Sequence, residues 1–214
     1  MTWKEAYDLY PEAAPPDLRL PPTAAGMRIG LFGGSFNPPH EGHVLVAETA
    51  LRTLALDRVW WMVTPGNPLK DHSRLAPLHE RIEASRALID DRRITVTALE
   101  AGYKVRYTAN TVRLVLSRNR HARFVWLMGA DNMTGFHNWQ EWRRIAKTVP
   151  IAVVDRPGST LSYLSSKFAI SYSWARVNEE EAASLLFLSP PAWTFLHGPR
   201  SGQSSTALRA LSTE

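Results

Sequence analysis

Apolar positions along the chain fall into short stretches that alternate between two periods. Residues 27–32, 58–63, 124–128 and 150–154 are largely continuous apolar runs, the pattern of strands buried on both faces. Residues 93–97 are rich in β-branched side chains and predict another strand. Between them, apolar residues recur at helical spacing. Residues 43–54 form one such stretch, and residues 77–90 a second with Pro77 near its start, where proline is tolerated. Residues 107–118 form a third, with Thr111, Val112, Val115 and Leu116 at helical spacing, and residues 139–147 a fourth. Residues 184–188 and 193–197 predict two more strands, and residues 204–211 a last helix. There is no internal repeat. Strands alternating with helices in this way predict βαβ units and a mostly parallel sheet.

Residues 1–26 break the pattern. Pro11, Pro15, Pro16, Pro21 and Pro22 hold most of this stretch extended or looped, and Trp3, Tyr7 and Tyr10 fall at the spacing of a short docking helix. We read residues 1–26 as a Pro-rich, partly disordered N-terminal extension and residues 27–214 as the folded domain. A chain of 214 residues is long enough for one substantial core. The absence of cysteine excludes disulfides and cysteine-ligated zinc and favours a cytoplasmic setting. No apolar run is long enough to span a bilayer, and the N-terminus lacks the basic-then-apolar order of a signal peptide. The net charge of +5 raises the question of nucleic acid. The cations are dispersed, however. Their densest run, Arg113, Arg118, Arg120, His121 and Arg123, has no interleaved aromatics and reads as a solvated helix end and loop. Neither nucleic acid nor membrane is expected as a partner.

Ligands of open α/β sheets bind beyond the carboxyl ends of the strands. The loops there, residues 33–43, 64–71, 129–131 and 155–158, all hold glycine or polar residues that a plain connector does not need. The first reads Gly33-Gly34-Ser35-Phe36-Asn37-Pro38-Pro39-His40-Glu41-Gly42-His43. Two glycines permit a tight turn and close approach to a ligand, and two imidazoles follow where a helix begins, which is itself a place that favours an anion. The pattern predicts a phosphate site with two added proton or hydrogen-bond donors. It has neither the Gly-Lys-Ser/Thr ending of a P-loop nor the G-x-G-x-x-G of dinucleotide folds. No third ligand is spaced to complete a zinc site with His40 and His43, so no protein-ligated metal is expected.

This stretch closely resembles the G-G-T-F-D-P-x-H-x-G-H motif of H-x-G-H nucleotidyltransferases, and within them the bacterial nicotinate-nucleotide adenylyltransferases of NAD synthesis. Five later stretches match in the family's order. They are Pro65-Gly66-Asn67-Pro68-Leu69-Lys70, Tyr107-Thr108 with Thr111, Gly129-Ala130-Asp131 with Trp139, Arg156-Pro157-Gly158, and Ser204-Ser205-Thr206-Ala207-Leu208-Arg209. The resemblance spans about residues 27–209. It departs at Ser35 and Asn37, where the family carries threonine and aspartate, but both replacements are small and polar.

The resemblance implies a Rossmann-like, doubly wound, mostly parallel sheet. It also implies transfer of AMP from ATP to nicotinate mononucleotide, with Mg²⁺ accompanying the triphosphate. His40, His43, Lys70 and Arg209 become the catalytic residues. Gly33, Gly34, Ser35, His40, His43, Asp131, Ser204, Ser205, Thr206 and Arg209 become the ATP site, with Asp131 on the ribose. Thr108, Trp139 and Arg156 become the acceptor site, Trp139 offering a flat face to the pyridine ring, whereas Trp142 reads as core. Many relatives continue beyond the position of Arg209, so the N-terminal extension or a partner subunit of a homo-oligomer is expected to cover that end of the site. Other acceptors remain open at this point, nicotinamide mononucleotide and phosphopantetheine among them, as does a nucleotide-sensing module. Class I aminoacyl-tRNA synthetases share an H-x-G-H motif, but the chain has no room for their tRNA-binding domains.

Overall fold

Along the central strands, successive side chains point to opposite faces of one sheet, and each face is buried under its own layer. The structure is a computed structural model and describes residues 15–66, 75–155, 162–199 and 205. Among these, seven strands pair in the order β3-β2-β1-β4-β5-β7-β6. They are β1 (Arg28–Gly34), β2 (Arg58–Val63), β3 (Ile94–Thr97), β4 (Arg123–Gly129), β5 (Ile151–Val154), β6 (Arg176–Val177) and β7 (Trp193–Leu196). Every pairing is parallel.

The helices are α1 (Glu41–Thr53), α2 (Leu78–Leu88), α3 (Leu99–Gly102), α4 (Thr108–Arg118), α5 (Ala130–Met133), α6 (Trp142–Ala146) and α7 (Lys167–Ser171). On one face, Val46, Ala50 and Leu51 of α1 and Leu78 and Ile82 of α2 pack with Phe32, Trp61, Val63, Leu127 and Val154 of the sheet. On the other, Val112 and Val115 of α4, Ile145 of α6 and Phe168 of α7 pack with Leu31, Trp60, Met62, Trp126 and Phe195. This is the expected doubly wound, Rossmann-like arrangement. The chain leaves β1 toward β2 on one side and enters β4 on its other side, so the topological switch lies between β1 and β4. The crevice beyond their carboxyl ends is where such sheets hold ligands.

Two sequence-based elements differ. Residues 184–188 were expected as a strand, but residues 184–187 lie in a 3₁₀ helix, Glu179–Phe187, that Leu188 caps. Ala182, Leu185 and Leu186 are its buried residues, a spacing of three and four. The four-residue apolar run from Leu185 to Leu188 alone did not distinguish that from a strand. The edge position beside β7 is taken instead by the two-residue β6. The helix expected over residues 139–147 is shortened to α6, because Glu141 takes a left-handed φ of 55° and Trp139 is extended. Trp142 is core, as expected. The cations from Arg113 to Arg123 are exposed, as a solvated helix end requires.

Of the extension read over residues 1–26, residues 1–14 lie outside the described residues. The remainder is packed onto the domain. Leu18 is fully buried, Asp17 pairs with Arg86, and the Asp17 carbonyl accepts from the Ala98 N–H (2.7 Å) and the Thr97 hydroxyl (2.9 Å). Thr23 donates to Asn119 at 2.9 Å. A Cβ on Gly102 would lie 1.9 Å from the Leu18 carbonyl oxygen, so the strap crosses α3 where only glycine leaves room.

Gly102→Ala should therefore lower stability by about 1–3 kcal/mol, read as an earlier urea midpoint; an unchanged midpoint would show that the strap is not seated there. At the start of β1, Asp57 accepts from the Arg28 backbone N–H (2.7 Å) and pairs with its guanidinium (3.4 Å). That backbone hydrogen bond, against the opposing effect of burial, holds the Asp57 carboxyl below its ordinary value. The stabilisation is present above the ordinary carboxylate pKa and is lost as pH falls through the lowered folded value. Both side chains are substantially exposed, so the effect stays below about 1 kcal/mol. Asp57→Asn should melt slightly earlier than wild type at neutral pH, with the difference closing as pH falls through the lowered folded value.

Candidate active site

Gly33 and Gly34 end β1, and the loop that follows is closely packed from beneath. A Cβ on Gly33 would come within 2.9 Å of Trp126 Cη2, and one on Gly34 within 2.9 Å of Phe36 Cζ. Phe36 itself takes a left-handed φ of 46°, turning the chain toward α1. His40 is the N-cap of α1, extended at φ −154°, and His43 lies at the third helical position. The His40 backbone N–H donates to His43 Nδ1 (3.3 Å), and the His43 N–H donates to the His40 carbonyl (2.8 Å). The two ring centroids are 3.8 Å apart. Because Nδ1 of His43 is an acceptor here, the neutral ring carries its proton on Nε2. His40 is buried and His43 half-buried.

An aromatic stack supports this turn. Phe36 stacks on Trp61 with centroids 4.3 Å apart and meets His43 edge-on at 5.0 Å. Trp61 Nε1 donates to Ser85 Oγ (3.2 Å), and Ser85 donates to the Arg81 carbonyl (2.7 Å). Arg81 is 2% exposed, and its guanidinium reaches three backbone segments. It donates to Ser35 O (2.7 Å) after β1, to Thr64 O (2.7 Å) after β2 and to Ala76 O (2.9 Å) ahead of α2. The Ala76 N–H in turn donates to Asn37 Oδ1 at 3.2 Å. The sequence reading missed Arg81. Its signal was an arginine on the buried face of α2, in step with Leu78, Ile82 and Ser85.

The remaining expected residues that are described approach the same edge of the sheet. Ser205 Oγ donates to Pro38 O at 2.9 Å, joining the last motif to the first loop across 167 residues. Asp131 lies within the first turn of α5 with an exposed side chain; the cap of that helix is Gly129. Trp139, half-buried, meets Trp126 edge-on at 6.2 Å, one ring away from Gly33. Thr108 opens α4, and Thr111 one turn on is buried. The other expected site residues, Lys70, Arg156, Ser204, Thr206 and Arg209, lie outside the described residues.

A second group was not anticipated as a unit. Glu100, on α3 just past β3, is buried and accepts from Thr111 Oγ1 at 2.7 Å. Burial pushes its carboxyl up, opposed by the neighbouring Thr111 and Thr64 side chains. Among the described residues, no three His, Cys, Asp or Glu side chains are grouped to hold a metal. The arrangement offers a backbone turn, a helix start and two imidazoles to an anion, with little provision for a protein nucleophile.

Known proteins agree with this geometry. The cytidylyltransferase-like family model matches residues 31–211. A probable nicotinate-nucleotide adenylyltransferase of Rhizobium meliloti (strain 1021) is 64% identical over 184 residues, 86% of this chain and 98% of that protein. A protein of the same name from Brucella abortus (strain 2308) is 62% identical over 185 residues, 86% of this chain and 95% of its own. In fold, the chain is similar to Plasmodium falciparum nicotinic acid mononucleotide adenylyltransferase complexed with NaAD. The TM-score is 0.65 over 86% of this chain and 83% of that one, at 16% identity. A glycine turn, paired histidines at a helix start and a doubly wound parallel sheet thus coincide with close relatives along nearly their whole length, and the chain belongs to the nicotinate-nucleotide adenylyltransferase family of cytidylyltransferase-like proteins.

Proposed function

We propose that the protein transfers AMP from ATP to nicotinate mononucleotide, giving deamido-NAD and pyrophosphate. The observation that carries this reading is the pairing of His40 and His43 at the start of α1, beside Gly33 and Gly34 and hydrogen-bonded through Pro38 to Ser205. In the reaction, an oxygen of the acceptor phosphate bonds to the α-phosphorus as the bond to the bridging oxygen breaks, and pyrophosphate leaves with that electron pair. Such transfer is governed by positioning and charge stabilisation. The Nε2–H of His43 suits donation to the α-phosphate, where charge builds, and the first N–H groups of α1 suit the same anion. His40 acts beside it and fixes the ring of His43 through its backbone N–H.

Ser35, Asp131, Ser204, Ser205 and Thr206 complete the ATP side in this reading, with Lys70 and Arg209 neutralising the β- and γ-phosphates and the leaving pyrophosphate. Thr108, Trp139 and Arg156 form the acceptor side. A divalent ion accompanies ATP, and we take it to be Mg²⁺ held by phosphates and water, since the described residues offer no three-ligand cluster. The names of the close relatives favour nicotinate over nicotinamide mononucleotide as acceptor.

Three outcomes follow. Pyrophosphate should be released with ATP, nicotinate mononucleotide and Mg²⁺ together; its absence with folded protein would sink the proposal. Turnover on nicotinamide mononucleotide, run side by side, should be clearly slower. His43→Ala should lower kcat by about a hundredfold or more, with ATP affinity changed only a few fold; equal losses in both would refute a role confined to the transition state.

A further inference from the structure

The buried carboxyl of Glu100 is not needed to fill space. An apolar side chain of similar volume would serve stability as well or better, because burying an ionisable group is costly unless it is fully hydrogen-bonded. Its partners show what it connects. Thr111 lies one turn into α4, the helix that opens with Thr108, and donates to Glu100 Oε1 at 2.7 Å. Thr64 follows β2 with its side chain beside the carboxyl; its hydroxyl donates to the Gly66 carbonyl at 3.3 Å, and its own carbonyl accepts from Arg81 at 2.7 Å. Arg81 also holds Ser35 O at 2.7 Å. Ser35, Arg81, Thr64, Glu100 and Thr111 therefore form one polar cluster. The N-terminal strap holds α3, which carries Glu100, through the hydrogen bonds of Asp17 to Thr97 and Ala98 and the close approach of Leu18 to Gly102.

We propose that Glu100 is a positioning residue for the transfer. Through Thr111 it fixes the start of α4, on the acceptor side of the crevice, to α3, beside the Thr64–Arg81–Ser35 frame that carries the glycine turn. The two substrates are thereby held in one frame although they meet different strands. This rests on the acceptor assignment of Thr108 made above.

The test compares wild type with Thr111→Val, Thr111→Ser and Glu100→Gln. In Thr111→Val, which keeps the shape and removes the donor, the KM for nicotinate mononucleotide should rise about tenfold, while that for ATP stays within about twofold. Thr111→Ser should return the acceptor KM to near wild type, since the hydroxyl is restored. Glu100→Gln should do nearly as well, its amide oxygen still accepting from Thr111. A folded Thr111→Val protein with both KM values unchanged, or with both raised alike, would overturn the proposal. Hydrogen exchange on the protein alone provides a readout that needs no turnover: the amides of Asn110 and Thr111 should exchange faster in Thr111→Val than in wild type. If wild type releases no pyrophosphate, the functional reading fails. Unchanged exchange at those amides is what would remove the positioning role itself.

Discussion

The buried guanidinium of Arg81 is the interaction on which the site's shape depends. Loops beyond the carboxyl ends of parallel strands have no ladder partner to hold them, yet Ser35 and Thr64 both offer carbonyls to the same rigid fork. A guanidinium presents several donors in fixed directions, so one side chain locks two loops and the entry to α2 at a set separation. Placing it inside the protein is tolerable because backbone carbonyls satisfy it. The cost is that any variant leaving those carbonyls without a donor loses more than one hydrogen bond. The helix supplying Arg81 is otherwise an ordinary amphipathic crossover between β2 and β3.

From that anchor the constraint passes to the chemistry by packing. Arg81 holds Ser35, and its carbonyl holds Ser85, which holds the indole of Trp61. Trp61 in turn stacks beneath Phe36, and Phe36 abuts His43. Few of these contacts involve a group that the proposed transfer places on a substrate. In that proposal they matter because a donor to a developing charge is useful only if it is already aimed, and His43 is held from two sides: an aromatic wall and the backbone N–H of His40.

Much of this was legible from residue order. The alternation of apolar periods predicted the parallel sheet, and β2 matches its predicted span. The described parts of the loops singled out by their glycines and polar residues lie at one edge of that sheet. What escaped notice had physical causes. Glu179-Glu180-Glu181 and Ala182 set up a 3₁₀ helix that carried Leu185 and Leu186 into it, where a short apolar run had suggested a strand. Trp139 was drawn into a helix pattern because periodicity does not register the left-handed turn at Glu141 that releases it. Arg81 and Glu100 look like surface charges in a linear reading, since their value comes largely from Ser35 and Thr64, 46 and 17 residues away, for Arg81 and from Thr111 for Glu100.

The strap ahead of β1 bears on what counts as the inherited unit. The cytidylyltransferase-like family model begins at residue 31, inside the first strand, whereas the core already includes Leu18. The unit that model recognises is thus shorter than the unit that packs. A recombination joint placed at residue 31 would pass through buried contacts and not through a linker. A chain trimmed ahead of β1 therefore has to replace what Leu18 fills over Gly102, which ties that segment to the turn bearing Glu100.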